Sequence, residues 1–366
     1  MHRAGAETGA QIQSIFPYNV ELFTPEFEYR ASAQVEYIDH EYDYLDITKA
    51  AVKIPGTITA KKGDWIHITR NAFEANGIIS DIKSKKDSVT LEYKPFNKLF
   101  DITAYVDPME LQTVSLEKWL KDQIEKIYVN NSDQLQNIAG LTVTVISEHQ
   151  GAAIEGYETG LNNLYDIIVE AFMSYGIVCT FTMDVQRKRL NLLIGSRDTD
   201  RITIEADLGN VFEKEVTIKE AQENTNKLIV YNEEDYTQKI VYYLTKNNEI
   251  TTENKDRITP VICGQVTAKA TTKITFEEAA QSKVEKTLKT SEYDNLIEIT
   301  VSVDDPLVRP TQLQIGQTVE IISDGMRYNT VLTGINYASE KITLIFGAIR
   351  LELTKILKRR FRENGN

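Results

Sequence analysis

The sequence predicts a mainly β chain with an α+β insertion, in which two small β-barrels flank an α+β middle region. One thirty-residue pattern occurs twice, displaced by 253 positions without a gap. The pairs Gly63/Gly316, Ile66/Val319, Ile68/Ile321, Ile82/Ile335, Val89/Ile342, Leu91/Leu344 and Tyr93/Phe346 all keep that offset. Each copy has the pattern of a strand entered through a glycine turn, then a hairpin with alternating apolar residues. The 18 tyrosines and 12 phenylalanines suit half-buried pleated surfaces and subunit interfaces. Helical spacing is found between the two copies. A duplicated barrel would let three subunits present six similar units around an axis.

Taken in order, residues 1–19 form a flexible arm, and the first fifteen lack the apolar stretch of a secretory signal. Residues 20–105 form the first barrel, with strands at 35–39, 42–47 and 51–55 before the first repeat copy. Residues 106–235 form the α+β insertion. Ser115 caps a helix whose face holds Leu116, Trp119, Leu120, Ile124 and Ile127. A second helix spans 161–175, with Leu164, Ile167, Ile168, Ala171, Phe172 and Tyr175 on its buried stripe and Gly176 as a left-handed stop. Strands 178–183 and 190–194 make a hairpin around a polar turn, and strands at 202–205, 212–218 and 227–231 follow. Residues 236–353 form the second barrel. It starts at strand 240–244 and carries a helical segment at 276–290, started by a Thr275/Glu278 capping box. That helix packs along a barrel edge through Phe276, Ala279, Ala280, Val284 and Leu288. Strand 297–303, the turn Asp304-Asp305-Pro306 and the second repeat copy complete it. Residues 354–366 are a basic tail, where Lys355, Lys358, Arg359, Arg360 and Arg362 make a solvated helix or a contact for an acidic partner.

At 366 residues the chain is long enough for several cores. No apolar run approaches the ~18 residues of a membrane span, so no membrane span is expected. A net charge of -13 argues against wrapping nucleic acid, because affinity for phosphates comes from clustered Lys and Arg. It suits a surface that repels passing nucleic acid. Cys179 and Cys263 match no zinc or redox spacing and are expected as buried small hydrophobes.

No residue is assigned to catalysis, to a cofactor or to a metal. The histidines are His2, His40, His67 and His149. His67 is expected to face outward from its strand, with Glu320 as its counterpart. His40 lies in an acidic, aromatic stretch expected to be a solvated face or subunit contact, since alternation separates Glu41 and Asp43 from Tyr42 and Tyr44. No nucleophile elbow, zinc helix or phosphate loop occurs. Asp304 and Asp305 precede a proline at a turn, and Asp184, Asp198 and Asp200 lie in polar connections, so all are expected as turn residues.

The order barrel, helix-containing insertion, strands with Gly209-Asn210 and Asn226, and closing barrel resembles the tail-hub proteins of bacteriophages. That group includes the amino-terminal structural part of tail-associated lysins. The resembling segments are 63–93, 163–194, 208–231 and 312–350, the last including Leu313-Gln314-Ile315-Gly316 and Leu344-Ile345-Phe346-Gly347. The resemblance implies a phage baseplate hub-like fold and a homotrimer whose six barrels form a torus at the distal tail tip. It implies a joint between the sixfold tail tube or distal tail protein and a threefold tip, and a channel through which DNA passes without specific binding. Further partners on this reading are a receptor-binding or tape-measure protein. Location in the virion follows, with assembly in the host cytoplasm. The family's long carboxy-terminal hydrolase or fibre extension is missing from the sequence, which implies a structural hub and no enzyme. Strands 51–54 and 296–303 are expected at subunit contacts. Two rivals stand beside it: the hub of a contractile injection or secretion system, and a carbohydrate-binding or cell-wall hydrolase domain with tyrosines as ligand platforms.

Overall fold

A computed structural model describes residues 17–71, 73–106, 114–148, 159–197, 200–218, 225–245, 249–270, 275–288, 295–338 and 340–347. The basic tail, most of the expected arm, His2, His149 and Asp198 lie outside the described residues. The first module comprises β1 (Tyr18–Phe23), β2 (Tyr29–Val35), β3 (Ile38–Asp43), β4 (Ala50–Pro55), β5 (Trp65–Arg70), β6 (Phe73–Lys85) and β7 (Ser88–Pro95). Alternation fixes which face each strand buries, so Val52 and Ile54 of β4 and Val89, Leu91 and Tyr93 of β7 all point inward. The expected arm through residue 19 is shorter than that. Tyr18 opens β1 and is fully buried, because β1 is flanked by β2 and β5. The strand expected at 42–47 ends at Asp43, whose carboxylate accepts a 2.8 Å bond from the Leu45 amide and turns the chain.

The middle region holds β8 (Thr103–Val106), α1 (Leu116–Tyr128), β9 (Leu141–Val145), β10 (Gly160–Asn163), α2 (Leu164–Tyr175), β11 (Ile177–Asp184) and β12 (Arg189–Ser196). The Ser115 hydroxyl accepts from the Lys118 amide and starts α1. α2 begins three residues later than its periodicity suggests, because residues 160–163 pair with β8 as a strand. Asn163 then caps the helix, accepting from the amides of Tyr165 and Asp166 at 2.9 and 3.3 Å. Gly176 closes it at φ 66°. Both helices cover the sheet β11-β12-β9, and Trp119, Phe172 and Leu192 are buried in one core that reaches Trp65, Phe96 and Tyr44 of the first module.

The remaining elements are β13 (Ile202–Glu205), β14 (Glu213–Ile218), β15 (Lys227–Asn232), β16 (Lys239–Leu244), β17 (Ile250–Thr251), β18 (Cys263–Ala268), α3 (Phe276–Leu288), β19 (Asn295–Ser302), β20 (Thr318–Ser323), β21 (Met326–Ala338) and β22 (Lys341–Gly347). The structure groups them differently from the sequence expectation. β13 and β14 pair with β20 and β19, so they belong to the second module and not to the insertion. A boundary at 235/236 falls in the turn between β15 and β16, which form a hairpin. β17-β16-β15-β18 is a separate four-stranded sheet with its own core. The Thr275/Glu278 capping box forms reciprocally, with the Thr275 amide 2.9 Å from Glu278 Oε2 and the Glu278 amide 3.3 Å from Thr275 Oγ1. Its helix packs on this small sheet and not along a barrel edge, because Phe276, Ala280 and Val284 meet Leu228, Val230 and Tyr242.

One large, mostly antiparallel sheet runs through both modules in the order β14-β19-β22-β21-β3-β4-β7-β6-β5-β1-β2, with β20 and β13 off that path. Its inward residues, from Val20 and Leu91 to Ile299 and Leu344, form a single continuous core. The fold is thus mainly β, as the alternating strands predict.

Candidate assembly site: two equivalent frames and the seam between them

The two repeat copies become strands β5-β6-β7 and β20-β21-β22, and their starting residues correspond at the 253-residue offset. Gly63 and Gly316 enter them at φ 89° and 87°, a region where glycine carries no Cβ penalty. The Gly63 amide bonds Ile79 O at 2.9 Å, and the Gly316 amide bonds Leu332 O at 2.8 Å. The return bonds match too, Ile79 to Asp64 O at 2.8 Å and Leu332 to Gln317 O at 3.0 Å. Register slips between Ile79 and Asp81 in β6, and between Leu332 and Gly334 in β21. This bulge bends each 13-residue strand, so its first half pairs with the preceding strand and its second half with the following one.

The modules meet through β3. On one side β3 pairs with β4, and on the other with residues 334–338 of β21. Tyr337, near the β21–β22 tip, lies opposite His40 and packs 4.3 Å from the Phe73 ring. Just beyond it, Glu340 accepts from Arg70 Nη2 at 2.9 Å. The Arg70 guanidinium also sits 4.8 Å above the Tyr18 ring. Arg70 is buried while Glu340 is half exposed, so the pair closes the rim of the seam.

His40 is a correction to the expected solvated face. It is buried, stacked on Tyr93, with Nδ1 2.9 Å from the Tyr93 hydroxyl. Burial pushes its pKa down to about 4, so the ring is neutral near pH 7. Asp43 is also buried, which strict alternation from Glu41 does not separate from the solvated face. Signals for both existed in the flanking apolar residues Ile38 and Leu45, but only pairing with β21 makes β3 an inner strand. Strands 51–54 and 296–303, expected at subunit contacts, are likewise inner strands. β4 lies between β3 and β7, and β19 between β14 and β22, so their backbone groups are used within the chain.

His67 lies between Glu21 and Glu74, 3.4 Å from a carboxylate oxygen of each. Burial opposes its charge, but the two carboxylates outweigh that and raise its pKa. Its counterpart Glu320 bonds Arg327 at 2.7 Å, and Arg327 is the counterpart of Glu74. The same cross-strand pair therefore recurs with its charges reversed. His67 also borders a cleft of about 570 Å³ shared with Glu21, Met183, Asp184 and Asn191. Among the described residues there, no side chain pairs a nucleophile with a base. Among the described residues no three His, Cys, Asp or Glu groups converge to hold a metal ion.

Cys179 is buried and burial pushes its thiol up to about 12. Cys263 is exposed at the start of β18, contrary to expectation, because β18 covers its sheet with its other face. Asp305 accepts from the amides of Leu307 and Val308 and from Asn210 Nδ2, which is a turn role. Asp184 accepts from the Arg187 amide in the β11–β12 turn. Asn226 accepts from the Ile262 amide and donates to Pro260 O. Among the described residues, no helix is long and apolar enough to cross a membrane.

No known family and no curated protein matches the sequence. Solved structures do match the fold. The 43 kDa tail protein of prophage MuSo2 from Shewanella oneidensis is 13% identical, with 90% of this chain and 98% of that chain covered and a TM-score of 0.52. Prophage tail protein gp18 from Listeria monocytogenes EGD-e is 11% identical, with 95% and 100% covered and a TM-score of 0.51. A tail protein from Neisseria meningitidis MC58 is 13% identical, with 90% and 96% covered and a TM-score of 0.51. Across about nine-tenths of its length, this chain has the fold of these tail proteins, two of them from prophages.

Proposed function

We propose that the chain is a structural protein of a phage or prophage tail, acting as a homotrimeric hub at the distal tip. The observation that carries this reading is the pair of equivalent frames fused into one sheet through β3. Three such chains supply six similar units, which suits a joint between a sixfold tail tube or distal tail protein and a threefold tip. The central channel passes DNA without binding it specifically, in keeping with the net charge of -13. Receptor-binding and tape-measure proteins are its further neighbours, and the virion tail is its location, after assembly in the host cytoplasm. Its role is architectural and not enzymatic. The division into two barrels, an insertion and a small β15–α3 unit belongs to this reading.

Negative-stain imaging of the purified chain, with mass from light scattering, tests it. A three-subunit ring with six lobes around a hole is the expected result. A chain that stays monomeric and forms no ring with its distal tail protein would overturn the hub.

A further inference from the structure

The seam has a counterpart that the described residues leave uncovered. Within one chain, the β21–β22 tip seats Tyr337 and Glu340 on Phe73 and Arg70. At the 253-residue offset, the equivalent tip is the β6–β7 turn with Ser84 and Asp87, and the equivalent seat is Ser323 and Met326. Residues 83–87 are all exposed. Met326 is 59% exposed, whereas Phe73, its counterpart under Tyr337, is 4% exposed. Residues 334–338 of β21 pair with β22 and β3, but among the described residues the equivalent residues 81–85 of β6 pair with β7 alone. The seat keeps its shape, since Asn71 and Asp324 hold the same left-handed turn position at φ 49° and 52°.

The charge balance differs between the two versions. Inside the chain the tip carries the acid, Glu340, and the seat carries the base, Arg70. On the uncovered pair the tip keeps an acid, Asp87, at the Glu340 position but adds Lys83, Lys85 and Lys86, with Lys83 bonded to Glu92. The seat carries Asp324 and Asp207, which share Lys214. The Asp324 carboxylate is 80% exposed, so it keeps room for a second cation.

We infer that the β6–β7 tip of one copy docks on the Met326 turn of a second copy of the same chain. The contact repeats between chains the one that joins the modules within a chain. The net basic tip suits the acidic seat, and a β21–β22 tip placed there instead would bring Glu340 to Asp324. First and second modules therefore alternate, and such a head-to-tail contact closes as a ring when its rotation divides a full turn evenly. The inference rests on the trimeric hub reading and names the surface that builds it.

Mixing two variants tests the surface directly. One chain carries Ser84→Cys, the other Met326→Cys, and both carry Cys263→Ser to remove the exposed thiol. Oxidation of the mixture should give a disulfide between the two chains that neither variant forms alone. In parallel, Asp324→Lys or the double change Lys85→Glu with Lys86→Glu should abolish the assembled peak in light scattering, and combining all three should restore it. All these side chains are exposed, and circular dichroism checks that each variant folds. Assembly that survives both reversals, with no cross-link, overturns this surface while leaving the hub intact, and the lysines then only guard a free edge. A wild-type chain that never assembles, alone or with its distal tail protein, overturns both.

Discussion

The two modules share a frame and differ in what surrounds it. Glycine entry, bulge and hairpin register recur residue for residue at one offset. The flanking strands do not. β1 runs antiparallel to β5, whereas β13 runs parallel to β20 in the equivalent place. The frame is set by local chemistry, a left-handed glycine and period-2 burial, so it survives extensive divergence. Partners from elsewhere in the chain are free to change, provided they cover the same apolar face. The difference also divides the two hairpin tips, one anchored in the seam by the buried Tyr337 and the other exposed throughout residues 83–87.

The largest contrast lies at those tips. Tyr337→Ala should destabilise the isolated chain by about 3 kcal/mol, the usual cost of emptying a packed aromatic site. Its counterpart Ser84→Ala should stay within about 0.5 kcal/mol. Urea midpoints of the two variants check this at concentrations where the chain is monomeric. Equal costs would mean that the tips are not divided as described.

The entry glycines give the next contrast. A Cβ at Gly63 would meet nothing within 4 Å, whereas at Gly316 it would lie 2.8 Å from Val178 Cγ2 and 3.0 Å from Arg197 Cβ. Gly63→Ala should therefore cost only backbone strain, about 1–2 kcal/mol. Gly316→Ala adds overpacking against the insertion, for a total of roughly 2–4 kcal/mol. Thermal unfolding of both variants ranks them, and a larger loss at Gly63 would refute the close packing of the insertion on Gly316.

Two histidines sharpen the comparison by pH. His40 is held near pKa 4 by burial, below its unfolded value, so acid favours the unfolded chain. Stability should fall by up to about 3 kcal/mol as pH drops from 6.5 towards 4. His67 has the opposite sign. Its folded pKa is raised, so its contribution is present below the unfolded pKa near 6.5 and is lost as pH rises through the folded value. The second module has Glu320 in that position. Denaturant melts of His40→Gln and His67→Gln across this range should each remove one slope, His40 the larger. A His40→Gln variant that keeps the acid slope would contradict its burial.

Much of this was legible in the residues. The repeat announced itself because alternation and glycine spacing are local, and Ser115, Gly176 and the Thr275/Glu278 box marked helix ends by their own hydrogen bonds. The seam was not legible. β3 pairs with a strand almost three hundred residues away, so nothing near His40 in sequence says that it is covered. The assignment of β13 and β14 to the second module depends on the same kind of distant pairing. The late start of α2 escaped because residues 160–163 carry no apolar alternation, and their strand exists only through β8.

The central claim is that duplication of one frame lets a threefold assembly present sixfold spacing. Cryo-electron microscopy of the assembled chain tests it most directly, by measuring the rotation that carries each frame onto the next. The account predicts six frames in alternating order, with successive rotations of about 60° both within and between chains. Frames that stand in three separated pairs, or an assembly without a closed ring, would contradict it.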